Sequence, residues 1–425
     1  MKESKQGCRP RKAPDSRIIK KGVIRILQRF IRLGMCLTPW PAPKVMQGPG
    51  SVRNLPLSLK KMNLKKPLIV TGKTVRGSGL LNGMLETMES IGIPGVIFDG
   101  VKPNPTNREV EAGVSAFREN RCDCLIAFGG GSPMDCAKAI GARIARPGKT
   151  VPELQGMFRV LRPTPVIFAV PTTAGTGSET TIAAVITDTA ANHKAAIMDL
   201  SLMPKFAVLD PELTVGLPPR TTAETGMDAL CHAVEAYTND AYNSRMEKEL
   251  ARRAVKLIFD NLQKVYENGT DLEARQKMQQ AAFCAGRAFT RGCVGYVHAV
   301  GHPLSSLYGI PHGRAMGILL PHVMRAYGAA AHKRLAELSD VCGLTKEEAG
   351  IPEKAEAFIQ WIEELKARMD IPERPDMIRR EDVEQIAEWA EKEGNPLYPV
   401  PVIWSREEFA GFIRTLLTEE DLAET

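Results

Sequence analysis

Residues 122–140 read CDCLIAFGGGSPMDCAKAI. An apolar run enters three consecutive glycines, and a helical pattern of small residues begins near Pro133. Strand, glycine loop and helix in that order make the first half of a parallel βαβ unit. Glycines there let backbone N–H groups approach a ligand closely, Ser132 can cap the helix, and Pro133 suits its first position. A helix N-terminus attracts an anion, so the GGGS loop (129–132) suits a pyrophosphate. It lacks the G-x-G-x-x-G spacing, however, and a purely structural glycine turn would have the same sequence. Cys122 and Cys124, two apart, read as one face of the strand.

Outward from this unit the alternation continues. PLIVTG (67–72) and GVIFDGV (95–101) read as short strands, with helices over LLNGMLETMESIG (80–92) and from Asn107 to Asn120. PVIFAVPTT (165–173), AAVITD (183–188) and KFAVLDPEL (205–213) are further strand candidates. Strands alternating with helices predict a Rossmann-like α/β domain with a parallel sheet, over residues 45–217. Beyond Pro218 the patterns are helical, in TTAETGMDALCHAVEAY (221–237), NSRMEKELARRAVKLIFDNLQKVY, ARQKMQQAAFCAGRAF and the charged helices after Lys333. An all-α C-terminal domain is expected over residues 218–425.

The chain of 425 residues is long enough for two or three domains, and its 44 % hydrophobic and 25 % charged content is ordinary for a globular enzyme. No run of eighteen apolar residues occurs, so nothing spans a membrane. Nine Cys without paired spacing read as free thiols in a reducing cytoplasm. The net charge of +7 is concentrated at the front. Residues 1–33 hold eleven Lys or Arg and two acids, and the remainder is close to neutral, which disfavours a nucleic-acid-binding body.

Residues 1–44 therefore form a basic extension. Residues 1–17 read as disordered, and 38–44 (TPWPAPK) as a stiff link. Between them Ile19, Val23, Ile26, Leu27 and Phe30 recur at helical spacing among Lys20, Lys21, Arg25, Arg29 and Arg32. This amphipathic helix, residues 18–33, can pack on the enzyme's own surface, touch an anionic membrane surface or dock on a protein partner. The first is slightly preferred. It lacks the apolar core and cleavage site of a signal peptide.

Four side chains carry the chemistry. Asp228 and His232, spaced i, i+4 in TGMDALCHAVEAY, share one helix face. His298 and His312 bracket HAVGHPLSSLYGIPHG, where Pro303, Gly309, Pro311 and Gly313 break up the chain, so that one His sits on a helix and the other returns from a loop. One oxygen and three nitrogens suit Fe²⁺ or Zn²⁺ and not Ca²⁺ or Mg²⁺. An isolated Asp-x-x-x-His is also the spacing of a surface ion pair. Of seven His, however, His298, His302 and His312 fall within fifteen residues of apolar, glycine-rich sequence. Cys231 and Cys293 lie beside this set without a ligand spacing of their own.

GMDALCHAVEAY, VHAVGHPLSSLYGIPHGRAMGILLPHVM, GGGSPMDCAKAI and PTTAGTGSE, in this order-bearing combination from about Pro43 to near the C-terminus, resemble the iron-containing (group III) alcohol dehydrogenases. The resemblance implies the dehydroquinate synthase-like architecture of that family and a metal held by Asp228, His232, His298 and His312. It implies NAD or NADP beside Gly130, Gly131, Ser132, Asp135, Thr172, Thr173, Thr181, Lys194 and Asn104. It places His302 near the nicotinamide and substrate, as a proton relay and not a ligand. Assembly as a homodimer or larger homo-oligomer is also implied. Where many NAD-specific members carry Asp after the first strand, this chain has Gly72. A carboxylate there would repel a 2′-phosphate, and Lys73 and Arg76 stand nearby, so NADP is expected to be accepted.

The expected activity is hydride transfer between a primary alcohol and a nicotinamide, in either direction. Three alternatives use the same residues or the extension: hydride exchange between a hydroxyacid and an oxoacid, metallohydrolysis, or a binding module targeted by residues 1–33. Bound metal, cofactor dependence and nicotinamide absorbance separate them.

Overall fold

The computed structural model describes residues 16–189, 193–239, 241–375 and 378–417. The strands among them are β1 (Lys44–Gln47), β2 (Pro67–Val70), β3 (Val96–Phe98), β4 (Cys124–Gly129), β5 (Gly156–Met157), β6 (Val166–Pro171), β7 (Ala183–Asp188), β8 (His193–Met198) and β9 (Phe206–Leu209). Six form one sheet in the order β1-β9-β6-β4-β2-β3. Every pairing in it is parallel. A strand buried on both faces reads as an unbroken apolar run, and here the alternation only divides it between two cores. Leu68, Val70, Leu125, Ala127, Ile167 and Ala169 face one. Ile69, Ile126, Phe128, Phe168, Val170 and Val208 face the other.

Three strand expectations need correction. AAVITD does not join the parallel sheet. As β7 it runs antiparallel to β8 and makes a separate sheet in the order β5-β8-β7. The stiff link ends one residue early, because Lys44 already begins β1, an edge strand too short and too exposed to show an apolar signal. Cys122 and Cys124 do not share a face. Arg121 turns the chain at φ 55 and β4 starts only at Cys124, so Cys122 packs in the core of Leu125 while Cys124 faces the opposite core.

The C-terminal half is helical, with Pro219–Thr238, Arg245–Glu267, Leu272–Gly292, Tyr296–Tyr308 and His312–Tyr327 enclosing a single apolar core together with the later helices. Pro303 does not break its helix, which runs five residues further before Gly309, at φ 68, ends it. Pro311 then caps the next helix, so His312 is its first residue and not part of a loop.

The N-terminal helix begins at Ser16, and the disorder expected for the residues before it lies outside the described residues. It lies along the C-terminal half by its polar side. Lys20 pairs with Glu391 and Lys21 with Glu408, both at 2.7 Å. Arg25 donates to the carbonyls of Val400 and Pro401 at 2.7 and 2.8 Å, and Gln28 to those of Pro396 and Tyr398 at 2.9 and 3.0 Å. Of its apolar residues Ile24 enters the core, whereas Val23, Ile26, Leu27 and Phe30 stay exposed. No described helix is long and apolar enough to cross a membrane.

Candidate functional site

Asp228 and His232 lie on Pro219–Thr238 in a stretch buried from Gly226 onward. His298 projects from Tyr296–Tyr308, and His312 opens the following helix. A Cβ on Gly313 would stand 2.1 Å from the carbonyl oxygen of Glu224, so only glycine lets this first turn approach the Asp228 helix. The Oδ1 of Asp228 is 3.3 Å from His312 Nε2 and 3.9 Å from the Nε2 atoms of both His232 and His298. Ligand-type atoms of Asp228, His298 and His312 all lie within 4.8 Å of one another. The His232 ring is stacked between Phe289 at 4.2 Å and His298 at 4.7 Å.

Asp228 Oδ1, His298 Nε2 and His232 Nδ1 are buried without a hydrogen-bond partner. Buried polar atoms are seldom left so, because the desolvation is uncompensated. A divalent cation between the first two would satisfy them, and the donor set fits Fe²⁺ or Zn²⁺. Protonation states agree. Burial works to raise the Asp228 carboxyl, but His232, His312 and His298 outweigh it and hold it far below the usual carboxylate range. Burial pushes His232 down to about 4, and burial with His312 and His302 nearby holds His298 well below 6.5. Ionised carboxylate and neutral imidazoles are the forms that bind metal.

Carboxylates beyond the quartet orient it, and the sequence did not disclose them. Glu235, one turn past Cys231, has Oε2 2.5 Å from His298 Nδ1 and Oε1 accepting from the N–H of Val297 at 2.8 Å. Burial pushes its carboxyl up to about 7, against the backbone N–H groups of Gly295 and Val297. Cys231 Sγ is on the same Nδ1 side of His298, at 3.8 Å, away from Asp228. His302 Nδ1 lies 2.8 Å from Glu393 Oε1, which also accepts the Tyr398 hydroxyl at 2.9 Å. Burial opposes a charged His302, yet Glu393 outweighs it and raises this imidazole above the ordinary value. Its ring stacks on His312 at 5.2 Å and remains half-exposed.

The glycine loop lies across from PTTAGTGSE. The helix starts at Gly131, two residues earlier than expected, with Gly130 extended at its N-cap and no side-chain cap. Ser132 is thus inside the first turn and does not cap it; Pro133 has no N–H and Met134 N–H donates to Gly130 O at 3.4 Å, so the N–H groups of Gly131 and Ser132 remain for an anion. Cβ atoms on Gly130 and Gly131 would meet Thr173 at 3.5 Å and Thr176 at 3.1 Å, so small size keeps a narrow cradle open. Thr172 N–H donates to Gly129 O at 3.0 Å and ties the two loops together. Gly177 is seated so closely on Leu272–Gly292 that a Cβ would come within 2.7 Å of the Gly286 Cα.

Two expected cofactor residues have internal partners instead. Asp135 accepts from Ser178 Oγ at 3.0 Å and from the N–H of Val185 at 3.1 Å. Thr181 Oγ1 receives Lys138 Nζ at 2.7 Å, and the same ammonium donates to the carbonyls of Ser178 at 2.6 Å and Ala183 at 3.0 Å. Lys138 therefore braces the loop from beneath, and burial draws it down to about 8. A lysine amid the small residues of MDCAKAI was the available signal. Lys194 Nζ donates to Asn104 Oδ1 at 3.0 Å, joining two expected cofactor residues. Desolvation lowers this lysine, while Asp135 and Glu393 pull it upward, so it stands between the two halves of the site. Gly72 precedes the short helix Lys73–Gly77, and a Cβ there would lie 3.0 Å from Val101 O. Arg76 is paired at 2.7 Å with Asp99, an acid next to this point.

A glycine loop opening a helix on a parallel sheet, with Asp228 and three histidines gathered on helices of the other half, has the parts of a dinucleotide-dependent metalloenzyme, and sequence comparison gives the family. The profile of the iron-containing alcohol dehydrogenases matches residues 42–211, and that of the Fe-containing alcohol dehydrogenase family, C-terminal, matches residues 222–415. A 1,3-propanediol dehydrogenase of Citrobacter freundii is 38 % identical over 352 residues, 82 % of this chain and 90 % of that protein. The NAD-dependent methanol dehydrogenase of Bacillus methanolicus is 36 % identical over 347 residues, 81 % of this chain and 91 % of that one. A crystal structure of a 1,3-propanediol oxidoreductase superposes with a TM-score of 0.86 at 34 % identity, covering 90 % of this chain and all of that one. The chain belongs to the iron-containing alcohol dehydrogenase family and is an oxidoreductase of that type.

Proposed function

We propose that this enzyme interconverts a small primary alcohol and its aldehyde by hydride transfer with NAD or NADP, at a divalent metal held by Asp228, His232, His298 and His312. One observation carries the proposal: Asp228 Oδ1 and His298 Nε2 are buried without a hydrogen-bond partner, 3.9 Å apart, with His312 Nε2 3.3 Å from the same oxygen. Iron, after the family, or zinc would supply the Lewis acidity that lets an alcohol hydroxyl lose its proton near neutral pH. Glu235 fixes His298 with Nε2 turned inward, as carboxylates behind ligating histidines do. His302 receives the hydroxyl proton and passes it outward, with Glu393 and Tyr398 holding its ring. Gly130, Gly131 and the first turn they open would hold the pyrophosphate, with Thr172 and Thr173 facing it. Lys194 and Asn104 would contact the cofactor from the other side. Asp135, Ser132 and Thr181 act through the shape of the cradle.

Gly72 itself presents no carboxylate to a 2′-phosphate, and Lys73 and Arg76 supply positive charge there that offsets the neighbouring Asp99, with which Arg76 is paired. The division at 217/218 and homodimeric or larger assembly belong to the same proposal. Nicotinamide absorbance, followed after iron or zinc loading with a panel of short and long primary alcohols, diols and aldehydes, tests it with both cofactors. Turnover with at least one short substrate is expected. Inactivity across the panel with either metal would overturn the reaction, and a hundredfold preference for NAD would overturn the NADP assignment alone.

A further inference from the structure

The N-terminal helix Ser16–Leu37 precedes the stretch matched by the family profile, which starts at residue 42. It contains Arg17, Lys20, Lys21, Arg25, Arg29 and Arg32 and no acid. Lys20, Lys21 and Arg25 are consumed in fastening it to the body. The side turned away from the body is apolar. Val23, Ile26, Leu27, Phe30, Leu33 and Leu37 are all exposed, Phe30 at 68 % and Leu37 at 78 %. At spacings of three, four and seven they form one stripe roughly 21 Å long. Arg29 borders the stripe and is exposed and in no ion pair among the described residues, whereas Arg32, seven residues after Arg25, is exposed on the opposite face.

Isolated exposed apolar residues need no explanation, but a continuous stripe on a firmly anchored helix does. Three occupants can be compared. Residues 1–15 contain no Val, Leu, Ile or Phe with which to cover the stripe. A second copy of the helix would bring two acid-free surfaces together and set Arg29 against like charge. An anionic lipid surface matches both properties at once. The stripe would enter the boundary between headgroups and acyl chains, and Arg29 at its border would meet the phosphates. The charge distribution agrees, because residues 1–33 carry eleven bases against two acids while the rest of the chain is nearly neutral.

We infer that this enzyme docks peripherally on an anionic membrane surface through the outer face of Ser16–Leu37, inserting Val23, Ile26, Leu27, Phe30, Leu33 and Leu37. The helix remains fixed to the body as it docks, since Arg25 and Gln28 hold the 396–401 segment from its opposite side. The enzyme is thereby held in one orientation on the lipid. The inference is independent of the proposed reaction.

Sedimentation of the full chain with sucrose-loaded vesicles tests it. Vesicles of phosphatidylcholine containing phosphatidylserine should carry the protein down, phosphatidylcholine alone much less, and high salt should release it. The pair Phe30→Asp and Leu33→Asp should lower binding at least tenfold without changing turnover or melting temperature. Arg29→Glu should lower it several-fold on anionic vesicles, with little change on neutral ones. Failure to sediment with anionic vesicles, or sedimentation indifferent to Phe30→Asp and Leu33→Asp, overturns the inference. So does an oligomer that this pair dissolves while the wild type ignores lipid, which would make the stripe a protein interface.

Discussion

Glu235 Oε2 lies 2.5 Å from His298 Nδ1, while its other oxygen accepts the N–H of Val297, the residue before that histidine. One buried carboxylate from the Asp228 helix thus fixes both the tautomer and the aim of His298. Its removal should act on metal affinity before it acts on chemistry. Glu235→Gln is expected to weaken metal binding by about 10- to 100-fold, with most turnover restored at saturating metal. Chelator titration of the loaded enzyme checks this. Unchanged affinity would mean that His298 is aimed by its helix alone.

Gly313 is a contact and not a hinge. Alanine there must displace the first turn carrying His312, because its Cβ would sit 2.1 Å from the Glu224 carbonyl. Gly313→Ala should cost about 1–3 kcal/mol as overpacking and should lower metal content as His312 withdraws from Asp228. Denaturant unfolding and metal analysis of the same sample measure both effects. A stable variant with full metal would show that the turn can move freely.

Glu179 in the PTTAGTGSE loop offers a pH test on a carboxyl outside the Asp228 cluster. In the unfolded chain it titrates at its ordinary 4.5, and burial holds it at about 7 in the fold. Between those values the native state binds the additional proton, so wild-type stability falls as pH rises from 4.5 to 7, and the loss is complete above 7. Glutamine carries no such penalty. The stability of Glu179→Gln relative to wild type should therefore improve by roughly 2–3 kcal/mol across that window. Unfolding free energies at several pH values decide it, and a difference independent of pH would contradict the buried, protonated state.

Arg25 has its guanidinium between two backbone carbonyls of the 396–401 segment. Arg25→Ala should destabilise the protein by about 1–3 kcal/mol, since two partly buried carbonyls lose a charged donor. The adjoining Tyr398 holds Glu393, so a modest fall in kcat should accompany the change. Urea titration with kinetics on the same variant measures both, and stability equal to wild type would mean that the helix rests on the body without bracing it.

The central strands were legible because parallel strands buried on both faces must be continuously apolar, as CLIAF and VIFAV are. β1 and β8 were not, the first being an exposed edge and the second half of a polar hairpin. That Asp228, His232, His298 and His312 come together was legible from the scarcity of histidine and from the spacing of Asp228 and His232. Glu235 and Glu393 were invisible, because a glutamate in a helical pattern is ordinarily a solvated one and only burial distinguishes these two. Amphipathic spacing showed that the N-terminal helix has an apolar stripe, but it could not show that Arg25 and Gln28 make the docked side. Ser132 resembled a cap because Pro133 suits the first helical position, yet extended Gly130 starts the helix earlier.

The most direct test compares wild type with His298→Ala, each purified under identical iron or zinc loading, for bound metal and for nicotinamide-coupled alcohol oxidation. The wild type should carry one metal ion per chain and turn over, and the variant should lose both while remaining folded. A folded, metal-free variant that still oxidises alcohol would contradict the assignment of Asp228, His232, His298 and His312 as the reaction's metal centre.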